Sequence, residues 1–446
     1  MKRLIQLATA LLTLCAVAAG LTRVPQAATT TVLTTQTAPR LIVMSDPHFI
    51  APSLHDQGAA YTAIKGSTSG KDLDAQPVAL RAFVRQALAV HPVAVVLTGD
   101  VTFNGAKASA QSLAKRLAPL QRAGIAVLAV PGNHDIFDGW ARAFRGKQQL
   151  TTAQLSPTDW RRIFPDAFTH ATSQDADSLS TTVVLNRDYQ LLLLDSNNYP
   201  IGVSQRQPNT GGRLRPSTLA WVARQLAAGQ KAGRATLVFM HHNLYAHNQV
   251  VHTGYVLDNA PALAALLTKY HVPVLFSGHS HAQDIAADPA GTCTTTEVTS
   301  GSFAISPASF GVVTLAATRL QYRMATAALT PVLTAAERRD PTLTHYQAHL
   351  KQLFMGNGAR LALETLYGQK GLSDQELTAA EQFLGEVNWR FFVGLDHPDA
   401  QTLAELKRMP GYKIAWATPS LRRYVQSCWQ DQNLPDRQLT LTIARP

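Results

Sequence analysis

The sequence predicts an α/β protein with a mostly parallel sheet, followed by a smaller helical domain. Short apolar runs alternate with helical stretches from about residue 40 onward, and this order is typical of βαβ units. After about residue 330 the apolar residues recur at helical spacing. The chain has 446 residues, about three times the roughly 150 residues expected for one domain, so both parts can build a core.

Three strands and two helices are predicted first. Apolar runs at 41–44, 93–97 and 125–130 predict the strands, and helical patterns at 78–90 and 108–122 lie between them. This βαβαβ order predicts a mostly parallel sheet.

The rest of the first domain is predicted to consist mainly of strands. Further apolar runs lie at 180–185, 190–195, 235–240 and 272–276, with a helix at 216–226. Stretches of β-rich, alternating character at 294–300 and 312–324 close the domain. We therefore expect the first domain to cover residues 40–328.

A helical domain is predicted for residues 331–446. The run Ser373-Asp374-Gln375-Glu376 is a capping-box pattern, which begins a helix. Apolar residues from Phe383 to Leu395 then recur at helical spacing and form one face.

The N-terminus is typical of an export signal, which we place at residues 1–28, with a linker at 29–39. Lys2 and Arg3 precede an apolar stretch that ends in small residues. We therefore expect the protein to be secreted or associated with the cell surface. The cleavage point stays open, as do two alternatives: an uncleaved anchor and lipidation at Cys15.

Composition and charge limit the function classes. Apolar residues make up 46% of the chain and charged residues 15%, which excludes bulk disorder. The formal charge is +11; the leader holds three basic and no acidic residues, so its removal leaves 37 basic against 29 acidic residues, or +8. No basic runs are present, so we expect no dedicated nucleic-acid binding. The excess fits an anionic substrate or surface, and membrane contact is expected only through the leader or a lipid anchor.

Two cysteines follow the leader, Cys293 and Cys428. In an oxidising compartment they could form a disulfide that ties the last helical segment to the main domain. Two separate buried thiols are the alternative.

Five of the predicted strands end in residues that bind metals. The segments that follow these strands are Ser45-Asp46-Pro47-His48, Gly99-Asp100, Pro131-Gly132-Asn133-His134-Asp135, His241-His242-Asn243 and Gly278-His279-Ser280-His281. Open α/β sheets bind ligands at the carboxyl ends of their strands. Carboxylate and imidazole groups without thiolates favour first-row divalent metals over a structural zinc.

A single ion cannot use all of these side chains, so the pattern predicts two metals. One ligand must then bridge the ions, and Asp100 offers two oxygens for this role. Gly99, Gly132 and Gly278 lie beside the ligands and let the backbone turn sharply there.

The ordered set Asp-x-His, Gly-Asp, Gly-Asn-His-Asp, His and Gly-His-x-His resembles the calcineurin-like metallophosphoesterase family. All five blocks occur in the family's order over about residues 40–283. The resemblance implies a four-layer αββα sandwich for the first domain and phosphoester hydrolysis at two divalent metals. Sites of this type bind Mn, Fe, Zn or Co, so the identity of the metals stays open.

The resemblance also implies a role for each residue. One metal would be held by Asp46, His48 and His281. The other metal would be held by Asn133, His241 and His279, and Asp100 would bridge the two. His134 would donate to the phosphoryl oxygens or the leaving group, and Asp135 would orient His134.

Within the family, the chain is most similar to bacterial class III cyclic nucleotide phosphodiesterases with a helical C-terminal domain. The similar segments are Leu54-His55-Asp56-Gln57-Gly58, Phe103-Asn104-Gly105, His241-His242-Asn243-Leu244 and the helical tail after residue 330. This similarity implies hydrolysis of 3′,5′-cyclic nucleotides, such as cyclic AMP, by a metal-activated hydroxide.

Several residues near the metal blocks are candidates for the substrate pocket. Asn104 lies near the bridging aspartate and is either a pocket group or a turn former. His242 follows a ligand and either supports the ligands or lines the pocket. His247 and His252 lie in the loop beyond it. The aromatic residues Trp389, Phe391, Phe392 and Trp429 are either a platform for a nucleobase or part of the helical core.

Two alternatives to a cyclic nucleotide phosphodiesterase stay open. The first is an exported phosphoesterase that acts on nucleotides, glycerophosphodiesters or phosphodiester polymers of the cell surface. The second is a non-catalytic surface binding protein with a vestigial phosphoesterase domain. Loss of metal ligands would favour the second, and no ligand is missing from the five blocks.

Overall fold

The structure is a computed structural model that describes residues 32–366, 371–430 and 435–444, with the backbone alone for 357–364. The predicted leader at 1–28 and Cys15 lie outside the described residues. Part of the predicted linker does not behave as one, because the amides of Leu33 and Thr34 donate to the carbonyls of Val184 and Leu185.

Fifteen strands are present in the described residues. In chain order they are β1 (Arg40–Met44), β2 (Ala94–Thr98), β3 (Ala126–Val130), β4 (Arg142–Arg145), β5 (Gln148–Thr151), β6 (Ala171–Gln174), β7 (Thr181–Val184), β8 (Tyr189–Leu194), β9 (Ala235–Met240), β10 (Val274–Ser277), β11 (Asp284–Ala286), β12 (Thr296–Thr299), β13 (Ser309–Ala316), β14 (Arg319–Thr326) and β15 (Gln438–Thr442).

Thirteen α-helices are present in the same part of the chain. They are α1 (Ala59–Lys65), α2 (Gln76–Val90), α3 (Lys107–Arg122), α4 (Pro157–Ile163), α5 (Asp166–Thr169), α6 (Pro216–Lys231), α7 (Ala260–Lys269), α8 (Pro341–Thr344), α9 (Tyr346–Leu366), α10 (Asp374–Phe392), α11 (Ala400–Arg408), α12 (Gly411–Ala417) and α13 (Pro419–Trp429). None of them is both long and apolar enough to span a bilayer.

The strands form two large sheets and a small hairpin of β4 and β5. The order of the first sheet is β15-β14-β13-β1-β2-β3, and that of the second is β11-β12-β10-β9-β8-β7-β6. Strands β1, β2 and β3 are parallel, which confirms the predicted βαβαβ unit. Strands β8, β9, β10 and β12 are also parallel.

The two sheets pack face to face between two layers of helices, which confirms the αββα sandwich. Alternate residues of β1 serve different cores: Val43 packs between the sheets with Leu193 and Phe239, whereas Ile42 faces the core that contains Phe83 of α2. On the far side, α6 and α7 cover the second sheet. The central strands β2, β8, β9 and β10 are therefore buried on both faces, as their continuous apolar runs require.

The described residues between 341 and 429 are mainly helical, as predicted. Helix α10 packs against α9, α12 and α13, and its capping box is present because the Glu376 amide donates to Ser373 Oγ at 3.3 Å and Glu376 Oε2 accepts from the Ser373 amide. The region is not helical throughout, however. Strand β15 returns to the first sheet and pairs antiparallel with β14.

The possible disulfide between Cys293 and Cys428 is wrong, and the alternative of two separate thiols is confirmed. Both cysteines are free and buried. Cys293 packs with the helices outside the second sheet, while Cys428 belongs to the core of the C-terminal helices. The two side chains thus serve different cores and tie nothing together.

Candidate metal centre

The candidate centre lies where the carboxyl ends of five strands from both sheets meet. In the first sheet, β1 leads into Asp46 and His48, β2 into Asp100, and β3 into Asn133. In the second, β9 leads into His241, and β10 into His279 and His281. The two sheets thereby bring together side chains that are up to 235 residues apart in the sequence.

One group of ligand atoms comes from Asp46, His48, Asp100 and His281. One donor atom from each of them lies within 4.8 Å of the other three. Nε2 of His48 is 2.9 Å from Nε2 of His281 and 3.6 Å from Oδ2 of Asp100. Nε2 of His281 is 3.4 Å from Oδ1 of Asp46. These nitrogens and oxygens converge on one point that a divalent cation can occupy.

A second group comes from Asp100, His241 and His279, whose donor atoms also lie within 4.8 Å of one another. Nε2 of His241 is 3.5 Å from Oδ1 of Asp100 and 3.0 Å from the side-chain oxygen Oδ1 of Asn133. Asp100 thus presents Oδ2 to the first group and Oδ1 to the second. This is the position that the bridging ligand of a two-metal site must take.

Hydrogen bonds to backbone carbonyls orient His241 and His279, the two histidines of the second group. Nδ1 of His241 is 2.9 Å from the carbonyl of Thr98, and Nε2 of His279 is 2.9 Å from the carbonyl of Thr210. A ring nitrogen that donates to a carbonyl leaves the opposite nitrogen free as a metal ligand. His241 therefore offers Nε2 and His279 offers Nδ1.

Charge and burial set the protonation states of the candidate ligands to those that bind a metal. Burial opposes ionisation of Asp100, but the imidazoles of His241 and His134 outweigh it and hold the pKa of the carboxyl well below its usual value. Burial lowers the pKa of His279 to about 4, so this imidazole is neutral and can bind a cation. Oδ1 of Asp46 is buried without a hydrogen-bond donor among the described residues. A buried carboxylate oxygen of this kind needs a cation or a donor, so the donor set fits two divalent metals.

The backbone around the ligands is unusual. Five of the seven candidate ligands have positive φ angles, between 41° and 67°, in a region that few residues other than glycine occupy. They are Asp46, His48, Asp100, His279 and His281. Such strain is concentrated at functional sites.

Glycines allow the strands to approach one another here. A Cβ atom on Gly99, which has φ +96°, would collide with Nδ1 of His241, and one on Gly132 would collide with the amide of Asp100. A Cβ atom on Gly278 would collide with Ser45. The predicted close approach of the backbone to the ligands at these three glycines is confirmed.

His134 lies beside this centre, but Asp135 does not orient it. Nδ1 of His134 is 3.3 Å from Oδ2 of Asp138. The buried carboxylate of Asp135 instead accepts hydrogen bonds from the amides of Val101, Thr102 and Gly132 and from the Thr102 hydroxyl. The role predicted for Asp135 is therefore wrong: it ties the loop after β2 to the loop after β3. The missed signal is an aspartate four residues after His134, where a turn brings the side chains together.

Comparison with known proteins agrees with this geometry. Residues 39–283 match the family model described as calcineurin-like phosphoesterase. The chain belongs to the calcineurin-like phosphoesterase family. It is accordingly a metal-dependent phosphoester hydrolase. Residues 329–434 match a second model, described as the C-terminal domain of cyclic nucleotide phosphodiesterase. No curated protein matches the chain.

Solved structures with similar folds are distant in sequence. A dimetal phosphatase from Danio rerio is 17% identical, with 65% of this chain and 97% of that chain covered and a TM-score of 0.48. A purple acid phosphatase from yellow lupin (Lupinus luteus) seeds is 12% identical, with 67% and 52% covered and a TM-score of 0.42.

The phosphoesterase has a cavity of about 640 Å³ that runs from the metal centre to the C-terminal helices. This cavity is called the large cavity below. At one end it is lined by Asp100, Asn133, His134, His279 and His281. At the other end it is lined by Phe354, Asn388, Phe391, Phe392, Leu421 and Tyr424. A second cavity of about 610 Å³ is lined by His48, Phe103, Asn104 and Trp140. His134 lines both cavities.

The three candidate pocket residues have different surroundings. Asn104 lines the second cavity, and its amide donates to the Trp140 carbonyl. His242 is wrong as a pocket residue, since it is fully buried and contacts Ser196 Oγ and the Thr210 carbonyl. It instead supports the loop that hydrogen-bonds His279.

His247 lines the large cavity but is held in place by two carboxylates. Nδ1 lies 2.7 Å from Asp284 and Nε2 lies 3.0 Å from Glu297. Both ring nitrogens are therefore engaged, and His247 forms the wall of the cavity. His252 lines the same cavity.

The predicted aromatic platform divides into two pairs. Phe391 and Phe392 line the large cavity. Trp389 instead contacts Ser306 Oγ and the ammonium of Lys351, and Trp429 packs among the aromatic residues of the helical core. Two of the four side chains thus face the space where substrate would bind.

Proposed function

We propose that this phosphoesterase hydrolyses 3′,5′-cyclic nucleotides at two divalent metals. The observation that carries the proposal is the large cavity, which joins the metal centre to aromatic side chains of the C-terminal helices. A volume of about 640 Å³ is within the range for small-molecule sites and exceeds the needs of a bare phosphate. The match of residues 329–434 to the C-terminal domain of cyclic nucleotide phosphodiesterase supports the same substrate class.

In this proposal the seven ligands divide as the resemblance implies. Asp46, His48 and His281 would hold one metal. Asn133, His241 and His279 would hold the other, and Asp100 would be shared between the two. Bound divalent cations stabilise negative charge on phosphate oxygens and supply a nucleophile from water.

His134 is the proton donor of the proposal. Burial opposes its protonation, but the charge of Asp100 and the contact with Asp138 outweigh burial and raise the pKa of the imidazole. Its side chain is 24% exposed and lines both cavities, so a substrate phosphate at the metals lies within its reach. A protonated imidazole there donates to the departing oxygen.

The organic part of the substrate would occupy the apolar end of the cavity. The faces of aromatic rings bind nucleobases by stacking, which contributes about 1–3 kcal/mol per base. Phe391, Phe392 and Tyr424 supply such faces, and Asn388 adds a polar group beside them. This end of the cavity is built almost entirely by the C-terminal helices, which gives that region a role in choosing the substrate.

We also propose that the enzyme acts outside the cytoplasm, at the cell surface or in the medium. Support comes from the basic start and apolar stretch of residues 1–28. For an exported enzyme, nucleotides, glycerophosphodiesters and surface phosphodiester polymers are the alternative substrates. Fractionation of cells that express the full chain tests the location.

Initial rates with Mn²⁺ test the substrate. Cyclic AMP, bis-p-nitrophenyl phosphate and p-nitrophenyl phosphate are compared, with EDTA and Asp100→Ala as controls. We expect chelator-sensitive hydrolysis of cyclic AMP. Cleavage of only the artificial diester would overturn the cyclic nucleotide proposal and direct the search to other diesters, while no cleavage of any substrate would favour a non-catalytic binding protein.

Variants of the cavity refine this test. Phe391→Leu and Phe392→Leu should raise KM for cyclic AMP about tenfold, with a smaller change for p-nitrophenyl phosphate, because only the first substrate places a base on the rings. Tyr412→Leu is a matched control, since Tyr412 packs in the core of the C-terminal helices. Equal effects of all three variants on both substrates would contradict the base-binding role of the cavity.

A further inference from the structure

A lysine that the motif analysis did not single out lies at the metal centre. Lys71 belongs to the segment 66–75 between α1 and α2. It lines both the cavity that reaches the C-terminal helices and the second cavity. Its ammonium group is 3.3 Å from the carbonyl of Thr68. Among the described residues, carboxylates pair with Lys65, Lys107 and Lys351 within 4.0 Å, but none lies that close to Lys71.

Lys71 lies beside the first group of candidate ligands. It lines one cavity together with Asp100 and His281 and the other together with His48. Burial lowers the pKa of Lys71 itself to about 8, against the opposing charges of Asp100 and Asp46, so the ammonium is still charged at neutral pH. A positive charge beside a site for two cations is unfavourable by itself. It becomes favourable when an anion binds there as well.

The C-terminal region holds the lysine segment in place. Gly70 has φ +81°, and a Cβ atom on it would lie 2.9 Å from the ring of Phe354 in α9. Oδ2 of Asp72 is 3.4 Å from Nε2 of His349, also in α9, and the amide of Asp72 donates to the carbonyl of Ala304. Lys71 lies between these two anchored residues, so its position depends on α9.

We propose that Lys71 binds a non-bridging oxygen of the substrate phosphate, and that α9 positions it through Gly70 and Asp72. The C-terminal region would then contribute to phosphate binding as well as to the choice of the organic group. The inference rests on phosphoester hydrolysis at this centre but not on which diester is the physiological substrate.

Neutral variants of the lysine test the first part. Lys71→Met and Lys71→Gln are compared with Lys65→Met. Lys65 is a partly exposed lysine of the preceding helix that pairs with Asp74 and lines neither cavity. The assays are hydrolysis of bis-p-nitrophenyl phosphate and inhibition by inorganic phosphate, with metal content measured in parallel. Either neutral variant suffices for the test if the other does not fold.

We expect kcat/KM to fall about 10- to 100-fold in both neutral variants, the loss expected when a charge-assisted hydrogen bond is removed. Most of the loss should appear in KM, because the phosphodiester anion is charged before it reacts. The inhibition constant for phosphate should rise by a similar factor, and Lys71→Arg should restore part of the binding. Metal content should not fall, and Lys65→Met should match the wild type.

Two glycine variants test whether α9 positions Lys71. Gly70→Ala combines a positive φ with a collision against Phe354, whereas Gly66→Ala, in the same segment, has φ −65° and ordinary contact distances of 3.5 Å or more. We expect Gly70→Ala to weaken phosphate inhibition although Lys71 is intact, and Gly66→Ala to leave it unchanged.

Wild-type KM and phosphate inhibition in Lys71→Met and Lys71→Gln would overturn the proposal, as would a loss of metals from these variants. Wild-type phosphate inhibition in Gly70→Ala would overturn the positioning role of α9. Failure of the wild type to hydrolyse cyclic AMP contradicts only the cyclic nucleotide proposal, since the artificial diester still reports on Lys71.

Discussion

Nδ1 of His134 lies 3.3 Å from Oδ2 of Asp138, four residues further along the chain. Asp138 is buried, while His134 lines both cavities beside the metal centre. The carboxylate can therefore fix the orientation of the imidazole and favour its protonated form. The contact defines a donor pair that is separate from the seven candidate metal ligands.

Removal of the donor should slow turnover without loss of metals. His134→Ala is expected to lower kcat by about 10²–10⁴-fold, the usual contribution of a positioned acid or base. Asp138→Asn should lower kcat less, by about tenfold, because the imidazole is still present but less well oriented. Steady-state kinetics and metal analysis of the same preparations check both expectations. Metal-depleted His134→Ala would contradict the donor role.

Asp135 should behave differently from Asp138. Its buried carboxylate accepts hydrogen bonds from three backbone amides and from the Thr102 hydroxyl. Asp135→Ala therefore leaves these buried donors unsatisfied. We expect the free energy of unfolding to fall by about 2–4 kcal/mol, measured by denaturant titration. A variant as stable as the wild type but with lower kcat would instead restore the catalytic role that the motif suggests.

Asp100 should be the most sensitive of the ligands. Asp100→Ala removes an oxygen from each donor group at once, so metals and activity should be lost together. His279→Ala removes a ligand from one group only. We expect Asp100→Ala to retain fewer metals per chain than His279→Ala in elemental analysis. Full activity of the Asp100 variant would exclude a shared bridging carboxylate.

The glycine at the β2 turn gives a test that leaves every ligand intact. In Gly99→Ala, the new methyl group would collide with the His241 ring, and the backbone would be held at φ +96°. We expect this variant to lose metal affinity and to lower activity by at least about tenfold. Gly233→Ala is the control, since Gly233 also has a positive φ but no neighbour within 4 Å. Equal activity of the two variants would show that the close approach at Gly99 is unimportant.

His247, in the wall of the large cavity, should make the free energy of unfolding depend on pH. Burial opposes protonation of His247, but Glu297 and Asp284 outweigh it and raise the pKa of the imidazole to about 10. A pKa above the unfolded value of 6.5 means that protonated His247 stabilises the fold fully below about pH 6.5 and progressively less as the pH rises toward 10.

The measurement is the difference in melting temperature between the wild type and His247→Gln from pH 6 to pH 10. It should be largest near pH 6 and shrink as the pH rises. A difference that does not change with pH would show that His247 contributes through packing alone.

The site could be predicted from the sequence because its chemistry is local to strand ends. Each ligand follows directly on an apolar run, and parallel strands bring their carboxyl ends to one edge. The strand ends alone place Asp46 and His281 at one edge, and the family resemblance assigns them to one metal. The structure places Nε2 of His281 3.4 Å from Oδ1 of Asp46.

Features that depend on tertiary contacts could not be predicted in the same way. The choice between Asp135 and Asp138 depends on the direction in which each side chain leaves a turn, and the motif contains only the first. Lys71 belongs to no block, and its segment is placed by contacts with α9, nearly 280 residues away. Strand β15 is a short alternating stretch that becomes a strand because β14 offers it an edge.

The most direct test of the central claim is anomalous diffraction from crystals grown with Mn²⁺. We expect two peaks about 3.5–4 Å apart, one on each side of the Asp100 carboxylate. The first should be ligated by Asp46, His48 and His281, and the second by Asn133, His241 and His279. A single peak, or peaks away from Asp100, would contradict a two-metal centre built by these residues.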